Sequence, residues 1–231
     1  MLQPQPDAEK RVTNDVIIAH LEELRSNRPT ILLATGKTAK AGETIRKIIA
    51  AARQVFIEVG HAGLTQRDVA EAAGIAVGNL TYHFPTKRAL LDAMLQEVLA
   101  DYLDDHIRQY QASPNQPLQI LLNVVESYVR NARHAHRFFY HMWGYAGCDE
   151  DVKHKIRSYY QAVGRFIYYL VRAANPKLND TQIRRATLQL SSVEEGIKLF
   201  IGMGPGDDSS IAAAEEDIRQ LTEKIVMTAH L

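Results

Sequence analysis

Residues 65–84 decide how this chain folds, and they read Thr-Gln-Arg-Asp-Val-Ala-Glu-Ala-Ala-Gly-Ile-Ala-Val-Gly-Asn-Leu-Thr-Tyr-His-Phe. Thr65 is a typical helix-capping residue, and Val69 lies on the buried face of the short helix that it opens. Gly74 follows where the chain must turn sharply, because glycine tolerates positive φ. A second short helix begins near Val77 and ends before Pro85, which disfavours its continuation.

A short helix, a glycine turn and a second short helix make up the helix-turn-helix arrangement. Ala70 is small enough to let the two helices cross closely, and Leu80 points back into the core. In this arrangement the second helix enters the major groove of DNA. The pattern therefore predicts that residues 77–84 form a DNA-reading helix.

The rest of the chain is also predicted to be helical, because apolar residues recur at the helical period and strand-like alternation is missing. One helix is expected over residues 42–59, ended by Gly60, and another over 87–110, opened by Thr86 as its N-cap. The other helices are expected over 12–25, 118–133, 136–146, 150–174, 180–202 and 211–229. The expected fold class is all-α.

Composition is that of an ordinary globular protein, with 46% hydrophobic and 23% charged residues among 231. The single Cys148 excludes a disulfide framework and is expected to be a buried, inert thiol. We expect a cytoplasmic protein with no membrane partner, because no apolar run approaches the roughly 20 residues of a membrane helix and no signal peptide is recognised. The net charge is zero, yet residues 37–88 hold eight basic and four acidic residues.

Across about residues 42–92 the chain resembles the TetR family of transcriptional regulators (TetR/AcrR-like). The matching positions are Gly60, Thr65, Val69, Ala70, Gly74, His83, Phe84 and Lys87. One position departs from the family pattern, because members commonly carry Tyr two residues before the His. Here Thr81 stands at that position, and Tyr82 adjoins the His.

The resemblance implies an N-terminal three-helix helix-turn-helix DNA-binding domain joined to a C-terminal helical domain for effector binding and dimerisation. On this reading residues 1–36 form an N-terminal extension with an amphipathic helix. Residues 37–88 form the DNA-binding domain, and residues 89–231 form the effector-binding and dimerisation domain.

The function implied is that of a ligand-responsive transcriptional regulator, a repressor that binds a palindromic operator in double-stranded DNA as a homodimer. No enzyme activity and no cofactor are expected. Two alternatives stay open: a protein-binding adaptor with a vestigial helix-turn-helix, and a helical enzyme that uses the histidine-rich residues 134–141.

The candidate DNA-contacting residues combine phosphate donors with base-reading groups. Lys87 offers an ammonium near free backbone N–H groups at a helix start, and Asn79 matches the edge of adenine. Gly78 permits close approach to the groove, whereas Lys40 fits either a phosphate contact or a solvated surface charge. The full set is Lys40, Thr65, Gln66, Val77, Gly78, Asn79, Thr81, Tyr82, His83 and Lys87.

Aromatic and methionine side chains in the C-terminal part are candidates for an effector pocket, and they suit a small, largely apolar effector. The alternative is that they only pack the core. They are Phe138, Phe139, Met142, Trp143, Tyr159, Tyr160 and Phe166.

The last two predicted helices are the expected dimer interface, with packing inside one chain as the alternative. Their apolar residues are Leu188, Leu190, Val193, Ile197, Leu199, Phe200, Ile218, Leu221, Ile225 and Val226. A metal site at His134, His136 and His141 is not expected, because positions two apart do not share a helix face. Glu194 and Glu195 are adjacent in sequence, so on a helix they should point to different sides and form no acid–base pair.

Overall fold

The computed structural model describes residues 16, 17, 19, 20, 39–113, 115–203 and 213–228, and this part of the chain is built from helices without a strand. Residues 16, 17, 19 and 20 are helical. The longer helices are α1 (Ala39–Gly63), α2 (Gln66–Ala72), α3 (Val77–His83), α4 (Lys87–Ala112), α5 (Pro117–Cys148), α6 (Glu150–Ala174), α7 (Asp180–Phe200) and α8 (Ala214–Met227). The all-α prediction is confirmed. Among these helices none has the length and apolar character needed to cross a bilayer.

Helix α5 corrects one prediction, because residues 117–148 form a single helix where two were expected. The reason is local: neither proline nor glycine occurs between Leu118 and Trp143, so nothing in that stretch breaks the helix. The predicted end of α1 is confirmed in part. Regular helix stops at Gly60, which has φ 69°, and one further turn reaches Gly63.

The sequence predicts Thr65 as the N-cap of α2 and Thr86 as the N-cap of α4, and the structure confirms both. In α4 the backbone N–H of Ala89 donates to Thr86 Oγ1 at 3.1 Å. The predicted helix over 12–25 falls largely outside the described residues. Within it Ile17 and His20 are buried, and the His20 ring meets the Tyr169 ring edge-on at 5.5 Å.

Residue contacts divide the chain into two compact units. The helix-turn-helix unit comprises the described residues of Asn27–Tyr102 and Arg137–Ile156, with a core that includes Phe56. The C-terminal unit comprises those of Met1–Ser26, Leu103–His136 and Arg157–Leu231, with a core that includes Phe166. Domain boundaries at residues 36 and 88 remain a prediction.

Inside the C-terminal unit, α7 packs its inner face on α5, where Ile197 and Ile201 cluster with three buried α5 residues. Four members of the expected dimer stripe are buried within the chain: Leu190, Ile197, Ile225 and Val226. Val193 and Ile218 pack partly buried against the same cluster. Four others remain exposed: Leu188, Leu199, Phe200 and Leu221. The stripe therefore separates into a core side and an outer side.

Candidate nucleic-acid interface

Helix α2 opens with a hydrogen-bonded cap formed by Thr65. The backbone N–H of Asp68 donates to Thr65 Oγ1 at 3.2 Å, and the Thr65 hydroxyl donates to the Asp68 carboxylate at 2.6 Å. Val69 and Ala70 lie on the opposite, buried side of this helix. The predicted capping role of Thr65 is confirmed, and Thr65 itself is exposed.

The turn between α2 and α3 depends on Gly74. Its φ of 62° lies in the left-handed region, where a Cβ would be strained. The N–H of Gly74 donates to the Glu71 carbonyl at 2.9 Å, and the N–H of Ile75 donates to the Ala70 carbonyl at 3.0 Å. These bonds satisfy carbonyls that the end of α2 would otherwise leave open.

Helix α3 is anchored from inside by Leu80, which is fully buried. The N–H of Phe84 donates to the Leu80 carbonyl at 2.8 Å and closes the helix. On the outer side Val77 is 43% and Tyr82 is 72% exposed, and Asn79 is also exposed. A helix of seven residues thus presents apolar, aromatic and amide groups to solvent, as a groove-reading helix requires.

Gly78 also lies on the outer side of α3, and no contact within the protein requires a glycine at this position. A Cβ built on it would meet nothing within 4 Å, and among the described residues only Gly60 and Gly74 have positive φ. Neither packing nor backbone conformation therefore requires glycine here. A partner that approaches the α3 backbone closely would require it.

Two residues of the DNA-contacting set also hold the helices together. Gln66 Nε2 donates to the Phe84 carbonyl at 2.7 Å, and Lys87 Nζ donates to the Ala62 carbonyl at 3.1 Å. The first bond joins the start of α2 to the end of α3, and the second joins α4 to the end of α1. A lysine ammonium has three N–H donors, so a phosphate contact by Lys87 stays compatible with this bond.

The last turn of α3 carries three more members of the set. The Thr81 hydroxyl donates to the Gly78 carbonyl at 3.2 Å, and the rings of Tyr82 and His83 meet edge-on at 5.1 Å. Thr81 and His83 are half-buried. The side chain of Lys40 lies outside the described residues. The DNA contacts of all these residues stay predictions.

Arg88 follows Lys87 but is engaged in ion pairs within the helix-turn-helix unit. Its guanidinium pairs with Asp92 at 3.2 Å, with Asp151 at 3.1 Å and with Asp149. The pKa of Asp149 lies below its ordinary value, mainly because the Val152 N–H donates to it and also because of Arg88. These pairs fix the first turn of α4, which follows α3 in the chain.

Lys47 is a candidate that the sequence reasoning missed. Its Nζ lies 3.9 Å from the position that a Cβ would take on Gly74, beside the turn of the helix-turn-helix. The sequence shows Lys47 only as one of the basic residues in segment 37–88. Its place at the turn follows from how α1 packs on α2, which periodicity does not reveal.

Cys148 is exposed, so the expectation of a buried thiol was wrong. It ends α5 at the junction with α6, and its Sγ lies 3.5 Å from His61 Nε2. The His61 ring stacks on the Tyr145 ring at 4.4 Å. The pKa of His61 is lowered, mainly because the ring is partly buried and also because of the positive charge of Lys87. The described residues contain no group of three His, Cys, Asp or Glu side chains arranged for a metal.

The seven candidate effector residues are divided between the two units. In the helix-turn-helix unit, Phe138 packs 5.5 Å from the Phe56 ring and Phe139 packs 5.1 Å from the Tyr102 ring. Phe138, Phe139 and Met142 are buried and Trp143 is partly buried. In the C-terminal unit Tyr159 and Phe166 are buried and Tyr160 is half-buried. None of the seven lines the open groove of about 500 Å³ between Leu118, Ala173 and Arg219.

The exposed second helix on a buried anchor defines a helix-turn-helix protein. Residues 48–94 match the family model described as bacterial regulatory proteins, tetR family. This match covers the helix-turn-helix segment, so that segment is similar to a family of bacterial regulatory proteins.

Curated relatives are similar to this chain in sequence over the same region, and solved structures share its fold. The HTH-type transcriptional regulator RutR of Escherichia coli is 39% identical over 70 residues, which are 30% of this chain and 33% of RutR. The chain thus matches about a third of the length of such relatives. A TetR transcription regulator from Haloarcula marismortui shares the fold with a TM-score of 0.65 at 17% identity, covering 80% of this chain and 96% of that one. The multidrug binding protein EbrR, solved with malachite green, has a TM-score of 0.57 at 20% identity, with 80% and 98% covered.

Proposed function

We propose that the chain is a ligand-responsive transcriptional regulator, a repressor that binds a palindromic operator as a homodimer. The observation that carries this proposal is the outer side of α3, which exposes Val77, Gly78, Asn79 and Tyr82 above the buried Leu80. Groups of this kind at the start of a recognition helix read base edges in the major groove.

The proposed contacts divide into base reading and phosphate binding. Asn79 offers a bidentate amide to adenine, and Val77 offers a methyl surface to thymine. Thr65 and Lys87 lie at the starts of α2 and α4, where helix N-termini and cations favour phosphates. This division predicts sequence preference from α3 and salt dependence from the helix starts.

The proposed dimer forms through the outer sides of α7 and α8. Leu188 is 68% and Phe200 is 82% exposed, and Leu199 and Leu221 are exposed as well. Exposed large apolar side chains on these two helices are candidates for a contact with a second protein chain. A pair of reading helices is also needed, because one short helix contacts too few base pairs for useful affinity.

The proposed effector site lies in the C-terminal unit. EbrR, which shares the fold, binds malachite green, so a helical unit of this kind accommodates a small molecule. Here Tyr159, Tyr160 and Phe166 are the candidate residues of that unit. The effector acts by binding one conformation of the dimer better than another, which changes how well both reading helices fit one operator.

Two experiments test the proposal. In the first, the purified protein is used to select the sequences that it binds from random duplex DNA at near-physiological salt. We expect enrichment of a two-fold symmetric site. Only weak, strongly salt-dependent retention without enrichment would favour the adaptor alternative.

The second experiment measures the mass in solution by light scattering. We expect a dimer that Leu188→Glu dissociates, while Val59→Glu, a change at another exposed apolar residue on α1, leaves it intact. A native monomer, or a dimer that resists Leu188→Glu, contradicts the proposed interface.

A further inference from the structure

The open groove of about 500 Å³ in the C-terminal unit lies where the start of α5, the end of α6 and the middle of α8 meet. Its lining includes Leu118, Leu122, Ala173, Arg219 and Glu223. Its volume is in the range of roughly 300–1,000 Å³ that is usual for small-molecule sites. The groove therefore has the size of a ligand site, and it combines apolar side chains with two opposite charges.

The start of α5 supplies hydrogen-bond donors to this groove. The first backbone bond at this helix start runs from the Ile120 N–H to the Gln116 carbonyl at 3.0 Å. The N–H groups of Leu118 and Gln119 precede that bond, so α5 itself contains no acceptor for them. Among the described residues no other acceptor meets them either. Free N–H groups at a helix N-terminus, together with the helix dipole, favour an anion.

The end of α6 supplies hydrogen-bond acceptors to the same groove. Pro176 has no N–H that could continue the hydrogen bonds of the helix. The N–H groups of the next two residues donate to Asn175, one to its side chain and one to its carbonyl, at 3.2 Å each. The carbonyls of Ala173 and Ala174, which line the groove, therefore accept no hydrogen bond from the part of the chain that the structure describes. Free carbonyls at a helix C-terminus favour a cation.

Helix α8 carries its two charged groove residues in the same order as the two helix ends. Arg219 Nη1 donates to Glu126 Oε1 of α5 at 2.8 Å, which holds the guanidinium on the α5 side. Glu223 follows one turn later. The next turn of α8 is tied to the end of α6, because Asn175 Nδ2 donates to the Val226 carbonyl at 2.9 Å. The cation is thus on the side of the free N–H groups, and the anion is toward the free carbonyls.

Both charged side chains can still bind a ligand. The bond to Glu126 uses one of the five N–H donors of the Arg219 guanidinium. Glu223 is exposed, and with the described residues it forms neither a hydrogen bond nor an ion pair within 4 Å. The pKa of Arg219 is raised, mainly by its hydrogen bond with Glu126, and the charge of Glu223 adds to this. The groove therefore offers one cation and one anion to a ligand.

We propose that this groove binds a small zwitterion with an apolar body, namely a short apolar peptide with free termini. Its carboxylate binds Arg219 and the free N–H groups of α5, and its ammonium binds Glu223 and the free carbonyls of α6. Its apolar side chains pack on Leu118 and Leu122. Residues one helical turn apart are about 5–6 Å apart, and two residues of extended chain span at most about 7 Å. A dipeptide therefore reaches both charges, whereas a single amino acid is too short.

The dipeptide leucyl-leucine is the probe, and its N-acetyl amide is the uncharged control. Calorimetric titration compares the native chain with Glu223→Gln and with Asp217→Asn, which removes an exposed carboxylate of α8 outside the groove. We expect leucyl-leucine to bind the native chain and Asp217→Asn alike. Glu223→Gln should weaken its binding about two- to fivefold, the effect of a solvent-exposed ion pair. The uncharged control should bind at least about tenfold more weakly, because both pairs are lost.

Two modified peptides assign the two ends of the ligand. N-acetyl-leucyl-leucine lacks the ammonium, so Glu223→Gln should leave its affinity unchanged. Leucyl-leucine amide lacks the carboxylate, so Arg219→Gln should leave its affinity unchanged while weakening that of leucyl-leucine. Equal losses with and without the charged terminus would contradict the proposed orientation.

Three results would overturn the proposal: no binding of leucyl-leucine to the native chain, equal binding of the uncharged control, or equal affinity of Glu223→Gln and Asp217→Asn. Glu223→Gln leaves the bond from Arg219 to Glu126 in place, so this comparison does not depend on whether Arg219→Gln folds. The proposal is also independent of the regulator function, because DNA selection uses no peptide. A chain that selects DNA but ignores leucyl-leucine contradicts only this proposal, and one that binds the peptide but selects no DNA contradicts only the regulator.

Discussion

Replacing Gly78 with alanine adds one methyl group to the exposed side of α3. No atom of the protein lies within 4 Å of the new Cβ, and the backbone does not have positive φ, so the fold accepts it. Alanine is favoured over glycine in a helix by about 0.8–1 kcal/mol. We therefore expect the free protein to gain up to about 1 kcal/mol, which raises Tm by roughly 2–4 °C for a chain of this size.

The same methyl group should weaken DNA binding. If α3 lies in the major groove with its backbone near the bases, the methyl enters space that DNA occupies. Overpacking a close-fitting surface costs roughly 1–3 kcal/mol. That corresponds to a Kd about five to 150 times higher. Fluorescence anisotropy on the selected operator measures the affinity, and differential scanning fluorimetry measures Tm on the same samples.

Gly144→Ala is the matched control for this experiment. Gly144 is an exposed helical glycine in α5, and a Cβ there also meets nothing within 4 Å. It should raise Tm similarly and leave operator affinity unchanged. Unchanged operator affinity of Gly78→Ala, together with a higher Tm, would refute the reasoning, because the α3 backbone would then not approach DNA.

Three other changes test separate parts of the account. Lys87→Ala should lower the slope of log affinity against log salt by about 1; an unaltered slope would leave Lys87 with only its bond to Ala62. Gly74→Ala should lower the unfolding free energy by about 1–2 kcal/mol, because the φ of 62° at this position is strained for alanine. Chemical denaturation measures this, and an unchanged midpoint would contradict the prediction. The pKa of Glu194 rises from 4.5 to about 8 on folding, so the folded chain keeps a proton that the unfolded chain releases. The unfolding free energy of the native chain should therefore fall as the pH rises from 4.5 to 8, relative to that of Glu194→Gln. Parallel profiles of unfolding free energy against pH for the two proteins would argue against a buried acid.

The helix-turn-helix could be predicted from sequence because its signals are local. Thr65 as a cap, Gly74 at the turn and Leu80 as an anchor each act within a few residues, and the structure confirms all three. The hydrogen bond from Gln66 to Phe84 could not be foreseen in the same way. It depends on how α2 crosses α3, and sequence spacing contains no information on that angle.

Periodicity also fails to say which surface an apolar residue meets. Leu188 and Leu190 are two positions apart on α7, yet the first is exposed and the second is buried. Both were expected at a dimer interface. An apolar stripe wider than one contact contains a core side and an outer side, and only tertiary packing separates them.

The burial of Lys198 in the C-terminal unit could not be predicted from the sequence for a related reason. The prediction that Glu194 and Glu195 point to different sides is confirmed, since one is buried and the other is partly exposed. Burial of Lys198 was not foreseen, because lysine is almost always exposed. This burial becomes visible only once the neighbouring helices are in place.

The most direct test of the central claim, that α3 reads DNA in a pair, compares the operator selected by the native chain with that selected by Asn79→Ala. Each good bidentate contact to a base is worth about 1–3 kcal/mol of discrimination. We expect both proteins to select two-fold symmetric sites of the same spacing, with the variant indifferent at one base pair in each half-site. Identical preferences at every position, or no symmetric site for the native chain, would contradict the account.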